Sequence, residues 1–498
     1  MKAQQNSPRR IAVIGGGISG LAAAHRLVEL LPQEATDELV LFERGERLGG
    51  VLLTVHEDDY QVEQSADNFI TTFPWGLDLC KRLGLADELV QTTPRFRHTF
   101  VVRGRRLSKL PDGFMMMAPT RMWPMAVTPI LSPLGKLRAA LEYFLPPRKD
   151  EADESMAVFV RRRLGREVFE RLVEPLVSAV YAADMEKLSV LATLPRFREM
   201  ERKHGSLIRA MRKARSAGVE SKSQSGARYS LFVTLRGGLS SLIDALAARL
   251  PPRAVRLSTK VERIEHAGWD KQSAGPPPSH EHDSGTGGPH VARYAVVLSD
   301  GRTERFDAVI VATGADAAAK LLQPADVELG RLLGTIEHEG TAIVSMAFER
   351  DQVGHPLDGM GFVVPAVENS PILAGSFSSR KYAHRAPEGK ELIRVFVGGA
   401  RHPELARMDA EELKPLVLGE LSRLLGVRGE PIYGTVAHWP DTMPQYHVGH
   451  MDLVAAIRAR VDALPGLALA GNAYQGVGIP HCIHTGEQAA EKVLARAG

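Results

Sequence analysis

A chain of 498 residues is too long for one hydrophobic core, so two or three domains are expected. Hydrophobic residues at 44% and charged residues at 24% are ordinary for a globular protein, and 62 Lys+Arg against 59 Asp+Glu leave a formal charge of +3, which excludes nucleic-acid binding by bulk electrostatics. Two cysteines, Cys80 and Cys482, exclude a disulfide framework and resemble no metal site; no metal is expected, and a reducing, cytoplasmic setting fits.

In chain order, a basic N-terminus precedes an apolar run. Gly15, Gly16 and Gly17 interrupt that run and a helix holding His25 and Arg26 follows, so a folded nucleotide site explains the pattern better than a cleaved signal. Residues 11–14 read as a buried strand, about 19–31 as a helix and 38–43 as a second strand. Residues 114–144 are rich in Met, Trp, Leu and Pro with widely spaced Arg and Lys. The nearest approach to a membrane span, 122–135, is short and broken by Pro124, Pro129 and Pro133. Residues 155–213 combine helical apolar periodicity with dense charge on the other face, so the middle of the chain reads as a helical insertion. Strands are expected over 254–265, 292–298 and 308–313, with a turn at 299–301. Residues 268–290, with four Pro and five Gly, read as a disordered hairpin insertion in which His280, His282 and His290 are solvated rather than metal-binding. Residues 341–440 carry repeated strand-like runs that fit a substrate-facing sheet.

The chemistry concentrates at the two ends. Gly15-x-Gly17-x-x-Gly20 follows a strand and opens a helix; there Gly15 permits the tight turn, Gly17 lets backbone N–H groups approach a pyrophosphate, and Gly20 lets helix pack closely on strand. Glu43 falls where a carboxylate accepts ribose hydroxyls. A glycine turn in an unrelated α/β fold is the competing explanation, and the fingerprint does not separate NAD from FAD. Residues 471–486 form a second glycine loop, whose helix from about Pro480 would stabilise negative charge on a reduced cofactor ring. Cys482 reads as a packed helix residue rather than a covalent anchor.

The residues after Glu43 bring in a resemblance. Arg44 is followed by Arg47-Leu48-Gly49-Gly50-Val51, similar to the Arg-x-Gly-Gly element of the amine-oxidase and phytoene-desaturase group of FAD enzymes. Val261 resembles the valine whose backbone these enzymes present to adenine, and an inward-facing strand valine accounts for it equally well. Over almost the whole chain, EQSADNFI (63–70), AVYAADMEKLSVLATLPRFREMERKHGSLI (179–208), TLRGGLSSLIDALA (234–247), VIVATGADAAAKLL (309–322), RVFVGGARHPEL (394–405) and GNAYQGVGIPHC (471–482) resemble the oxygen-dependent, FAD-containing protoporphyrinogen oxidases and the related coproporphyrinogen III oxidases.

The resemblance implies an α/β fold: a Rossmann-like FAD-binding domain in three parts (1–75, 231–315, 441–498), a mostly helical inserted domain (76–230) and a mixed-sheet substrate-binding domain (316–440). It assigns to FAD Gly15, Gly16, Gly17, Ser19, Gly20, Glu43, Arg44, Arg47, Gly50, Val51, Ser65, Asp67, Asn68, Val261, Gly471, Asn472, Val477, Gly478 and Ile479. To the substrate it assigns Arg97 and Ala179; Phe362 and Phe377 are apolar candidates for the face of the macrocycle, with ordinary core as the equal alternative. It implies oxidation of coproporphyrinogen III or protoporphyrinogen IX to the porphyrin in haem biosynthesis, by hydride transfer to flavin N5, with O2 reoxidising the flavin and H2O2 released. Another FAD amine oxidase or carotenoid desaturase, and a non-catalytic flavin-binding scaffold, stay open as alternatives. So do a peripheral contact of 114–144 with the inner membrane face, against a lid over a substrate tunnel, as well as a homodimer and hand-over to a haem-pathway enzyme. Arg103, Arg105 and Arg106 read as a solvated turn, although the arginines around residue 97 lean towards the more anionic substrate. Two departures bear on the substrate's pose: Ala179 and Ala183 stand where the family usually has Gly, and Ser65-Ala66-Asp67-Asn68 replaces Gly-Pro followed by Asp/Asn-Ser.

Overall fold

The apolar run near the N-terminus becomes the central strand, Arg10–Ile14, of a five-stranded parallel sheet. Its neighbours are Glu38–Phe42 and then Val255–Arg256 on one side, and Ala308–Val311 and then Leu467–Leu469 on the other. Residues 11–14 are buried on both sheet faces, which is why they read as continuously apolar rather than alternating. The helix Ile18–Leu30 lies against the C-terminal helix Ile479–Ala495. Gly486 sets that approach: a Cβ there would stand 2.2 Å from the Ser19 carbonyl oxygen. A second, antiparallel sheet joins Val261–His266, Tyr294–Leu298 and Thr303–Phe306. These segments belong to one of two compact units, Met1–Leu52, Ser240–Ile336 and Leu453–Gly498. The computed structural model describes residues 9–31, 38–119, 121–216, 231–266 and 293–495, so the 268–290 insertion lies outside the described residues.

The other unit, Leu53–Leu239 with Glu337–Asp452, is built on a seven-stranded sheet. Its order is Tyr433–Pro444, His338–Glu349, Lys390–Gly398, Ile372–Phe377, Gly361–Val363, Thr99–Arg103 and Arg106–Lys109, antiparallel except where Gly361–Val363 meets Thr99–Arg103. Alternation sorts the two faces. Val344, Met346, Phe348, Ile393, Val395 and Val397 share a core with Leu413, Val417 and Leu421 of the helix Ala410–Leu425, while Ser345 and its register partner Arg394 point the other way.

Four unit boundaries differ from the sequence reading: 52/53, 239/240, 336/337 and 452/453 stand where 75/76, 230/231, 315/316 and 440/441 were expected. The segment 76–230 supplies two strands at the sheet edge as well as its helices, because the alternating apolar run at 99–103 completes the sheet's core face. Strand Phe232–Leu235 pairs with Phe69–Ile70 and Leu89–Gln91, which keeps it in this unit up to Leu239. Helices Ala315–Leu322 and Val327–Gly334 stay with the parallel-sheet unit, since Ala318, Leu322, Leu329 and Leu333 pack into its core; the crossing comes at Glu337 rather than 316.

The helical part of this unit is tied together by a buried charged node. The Glu142 carboxylate accepts from Arg163 Nε at 3.0 Å, Ser206 Oγ at 2.6 Å and the N–H groups of Leu207 and Ile208 at 2.8 and 3.1 Å, and Arg163 Nη2 also binds it. The same guanidinium donates to the carbonyls of Pro146 and Gly205. Glu142 thereby caps the helix Leu207–Ser216.

Candidate flavin site

Each glycine of the first turn has its own physical reason. Gly15 sits at φ +107°, and a Cβ there would lie 2.7 Å from the Ala312 carbonyl oxygen. A Cβ at Gly20 would stand 1.8 Å from the Gly15 carbonyl oxygen, so this position fixes how closely helix meets turn. Gly17 is different: its φ of −73° suits any residue, and a Cβ would meet nothing within 4 Å. The space beside Gly17 is open, and the helix it caps has neither a side-chain cap nor an acidic residue in its first turn. Uncapped N–H groups, the positive end of the helix dipole and empty space beside them are what a phosphate requires.

Glu43 braces this turn. One carboxylate oxygen accepts from Gly16 N and the other from Gly45 N, both at 2.7 Å, and each keeps a further lone pair for a hydroxyl. The Gly49-Gly50 stretch runs alongside: Gly49 N donates to Gly16 O at 2.8 Å and bridges to Gly17. Gly49 and Gly50 take φ of +100° and +59°, and a Cβ on Gly50 would approach Gly17 Cα to 3.3 Å. Arg47, expected to neutralise pyrophosphate charge, is instead turned onto the carbonyls of Leu48, Gly50 and Leu52, where it clamps the loop. Arg44 and Val51 are exposed. The Ser19 side chain is buried against the Cys482 thiol, so only its backbone can serve a ligand.

At the C-terminal loop, Gly471 adopts φ +135° and its N–H donates to Thr485 Oγ1 at 3.1 Å. Asn472, Val477 and Gly478 are half-buried, and Ile479 begins a helix whose first turn also lacks an acid. Burial pushes the Cys482 thiol up to about 11, which keeps it protonated and inert. Val261 is buried at a bulge in its strand. Gly15, Glu43 and Gly471 all lie just beyond the carboxyl ends of parallel strands, where open α/β sheets bind ligands.

In the other unit, the segment holding Ser65, Asp67 and Asn68 is fixed by residues the sequence reading did not single out. Lys381 Nζ lies 3.1 Å from Asp67 Oδ2, Arg394 Nη1 lies 3.6 Å from it, and Asn68 donates to Oδ1. Burial pushes the Asp67 carboxyl up, but Lys381, Arg394 and Arg385 outweigh it and hold it below the ordinary range. Arg394 also donates to Ser65 O, Trp439 Nε1 to Gln64 O at 2.6 Å, and Arg385 to Glu63 at 2.8 Å.

The substrate residues read from the sequence divide. Arg97 is exposed beyond the short turn Pro94–Phe96, and Ala179 is exposed near the end of the helix Glu174–Tyr181. Phe362 and Phe377 are both fully buried in the sheet's core, with ring centroids 5.9 Å apart, which is the core alternative the sequence reading allowed for them.

A family model described as flavin containing amine oxidoreductase matches residues 18–494. The chain belongs to that family. This flavin-containing amine oxidoreductase is 34% identical over 490 residues to coproporphyrinogen III oxidase of Bacillus subtilis (strain 168), covering 98% of both chains. It is 31% identical to coproporphyrinogen III oxidase of Staphylococcus aureus (98% of this chain, 99% of that one) and 28% identical to protoporphyrinogen oxidase 2 of Arabidopsis thaliana (98% and 94%). A solved structure from Exiguobacterium sp. 255-15 superimposes with a TM-score of 0.82 at 31% identity, over 98% of this chain and 99% of that one. Its cofactor is therefore a flavin, and the paired glycine stretches, the uncapped helix and Glu43 fit the phosphate and ribose of a flavin nucleotide.

Proposed function

We propose that this oxidoreductase uses FAD to convert coproporphyrinogen III to its porphyrin in haem biosynthesis, with O2 as terminal acceptor and H2O2 released. Its full-length identity of 34% and 31% to two proteins named coproporphyrinogen III oxidase, against 28% to one named protoporphyrinogen oxidase 2, carries this reading. Bound flavin supplies the two-electron acceptor for hydride from a methylene bridge of the macrocycle.

The protein's own share is binding and orientation. The backbone N–H groups of residues 15–20 hold the pyrophosphate, Glu43 the ribose, the Gly50-Val51 backbone and the 471–479 loop the remaining cofactor, and Val261 the adenine. Arg44 and Arg47 contribute positive charge to this rim, Arg47 by ordering the loop. For Ser65, Asp67 and Asn68 the cofactor role rests on the resemblance; what supports it is the number of buried partners that fix their segment. Arg97 and Ala179 are open to a substrate.

Anaerobic mixing with coproporphyrinogen III is expected to bleach the flavin faster than protoporphyrinogen IX does, with porphyrin fluorescence appearing in step. Faster bleaching by protoporphyrinogen IX would reassign the substrate, and bleaching by neither would remove the porphyrinogen reading.

The helical surface supports a peripheral membrane contact. Trp123, Leu134 and Phe144 are 76%, 78% and 73% exposed, Val127 and Leu137 join them, and Arg121 and Lys136 lie among them. An apolar cavity of about 330 Å³, lined by Met122, Met125, Leu137, Leu164, Val168 and Ile208, opens in the same region. Among the described residues no helix is long and apolar enough to cross a membrane, so the contact is with the surface. Trp123→Glu with Leu134→Glu is expected to abolish co-sedimentation with phosphatidylglycerol vesicles while leaving flavin content intact; undiminished co-sedimentation would refute the contact.

A further inference from the structure

Pro129 and Pro133 separate two short helices, Met122–Val127 and Pro133–Ala140. Each turns small or flexible side chains to one face at the i, i+3, i+4 spacing: Met122, Met125 and Ala126 on the first, Lys136, Ala139 and Ala140 on the second. Alanines at three of these positions leave an apolar cavity of about 330 Å³. Phe114, Leu164, Val168 and Ile208 close it at depth, each 6% exposed or less, while its lining reaches the surface at Met122 and Leu137, 39% and 60% exposed.

The walls are pinned by polar contacts around the cavity. Arg138 donates to the carbonyls of Arg163 at 3.0 Å and Arg162 at 2.8 Å, which ties the helix Pro133–Ala140 to the end of the helix Met156–Leu164. Ser132 N and Oγ donate to the Glu167 carboxylate at 2.7 and 2.6 Å, next to Val168, and Ile208 N donates to Glu142 at 3.1 Å. A space framed this way is preformed, and packed interiors leave few voids of its size. Lys136 is the one charged residue in the lining. It is half-buried and makes no hydrogen bond or ion pair among the described residues, whereas its neighbours Arg138 and Glu167 are fully engaged.

One apolar cavity with one unpaired cation selects among ligands by chemistry. A tetrapyrrole with several carboxylates around a wide ring would leave all but one of them unmatched, and a phospholipid would leave its second chain outside. A single alkyl chain that ends in one carboxylate matches both the lining and the charge. We infer that this cavity is a fatty-acid site, with the alkyl tail among Leu164, Val168 and Ile208 and the carboxylate paired with Lys136. The inference does not depend on the porphyrinogen reading. It is also separate from the membrane contact, which is drawn from Trp123 and Leu134, neither of which lines the cavity.

The test titrates the flavin-loaded full chain with dodecanoate by calorimetry, below its micellar concentration and without vesicles, with dodecanol as the neutral counterpart. One saturable site per chain is expected. Lys136→Glu should weaken dodecanoate by about tenfold, as befits a lost charge-assisted pair, and leave dodecanol within about twofold. Ala139→Phe fills the cavity and should abolish binding of both; Ala140→Leu, at the exposed rim where a larger side chain is easily accommodated, should weaken both. Bound dodecanoate should raise the unfolding midpoint of wild type and leave that of Ala139→Phe unmoved. Trp123→Glu with Leu134→Glu should bind dodecanoate like wild type. Absence of saturable binding would overturn the inference, and so would equal affinity in wild type, Ala139→Phe and Ala140→Leu. Loss of binding in the Trp123 and Leu134 double variant would also overturn it, by placing the chain on the exposed surface. Vesicle co-sedimentation lost in Ala139→Phe, with no dodecanoate bound by wild type, would give the cavity to a membrane lipid instead. None of these readouts needs turnover, so a failure of the porphyrinogen reading leaves the test of this cavity standing.

Discussion

Glu142→Ala is expected to cost about 3–5 kcal/mol of stability, read as a lowered denaturation midpoint. Both Glu142 and Arg163 are 0% exposed, so removing the carboxylate leaves the interior guanidinium, among carboxylates, only the longer 3.5 Å contact with the buried Glu201. It also strands the Ser206 hydroxyl and the N–H groups of Leu207 and Ile208, which together start the helix Leu207–Ser216. Lost attraction is the smaller part of the penalty; the larger part is desolvation of groups left unmatched. Glu142→Met combined with Arg163→Met removes both charges and should therefore cost less than Glu142→Ala alone. A double substitution at least as damaging as the single one would show that shape, rather than unpaired charge, makes this node indispensable.

How much of this was readable in advance follows from sequence distance. The turn from strand to helix at residues 15–20 and the acid at residue 43 are local, and each residue type has one reason to be there, so the parallel sheet and its glycine turns were legible. The setting of residues 63–68 was not, because Arg385, Arg394 and Trp439 reach it from more than 300 residues away. One signal was present: Arg394 interrupts the apolar run Leu392-Ile393-Arg394-Val395-Phe396, and a charge inside a strand demands a buried partner. For Phe362 and Phe377 the sequence left substrate face and core equally open for a related reason. Alternation tells which strand residues share a face but not which face closes into core. Arg47 shows another limit: the motif names the residue, and only the structure shows its guanidinium on the loop's own carbonyls.

Gly17→Ala and Gly20→Ala should separate what the first turn owes to a ligand from what it owes to packing. At Gly20 a methyl would lie 1.8 Å from the Gly15 carbonyl oxygen, backbone against backbone, so the helix Ile18–Leu30 must shift and the protein should lose about 1–3 kcal/mol or more whether or not flavin is present. At Gly17 the same methyl meets no protein atom within 4 Å, and φ of −73° costs an alanine nothing. The flavin-free protein should keep its stability, or gain a few tenths of a kcal/mol from a stiffer unfolded chain. Flavin affinity should nonetheless fall by at least tenfold, because the methyl occupies the space through which a phosphate approaches the uncapped N–H groups. The two readouts are unfolding of the flavin-free protein and flavin retained after dilution. A Gly17→Ala protein that holds its flavin like wild type would mean that the open space beside Gly17 is not where the pyrophosphate sits, and the cradle would have to be sought among the N–H groups of the Gly49-Gly50 stretch alongside.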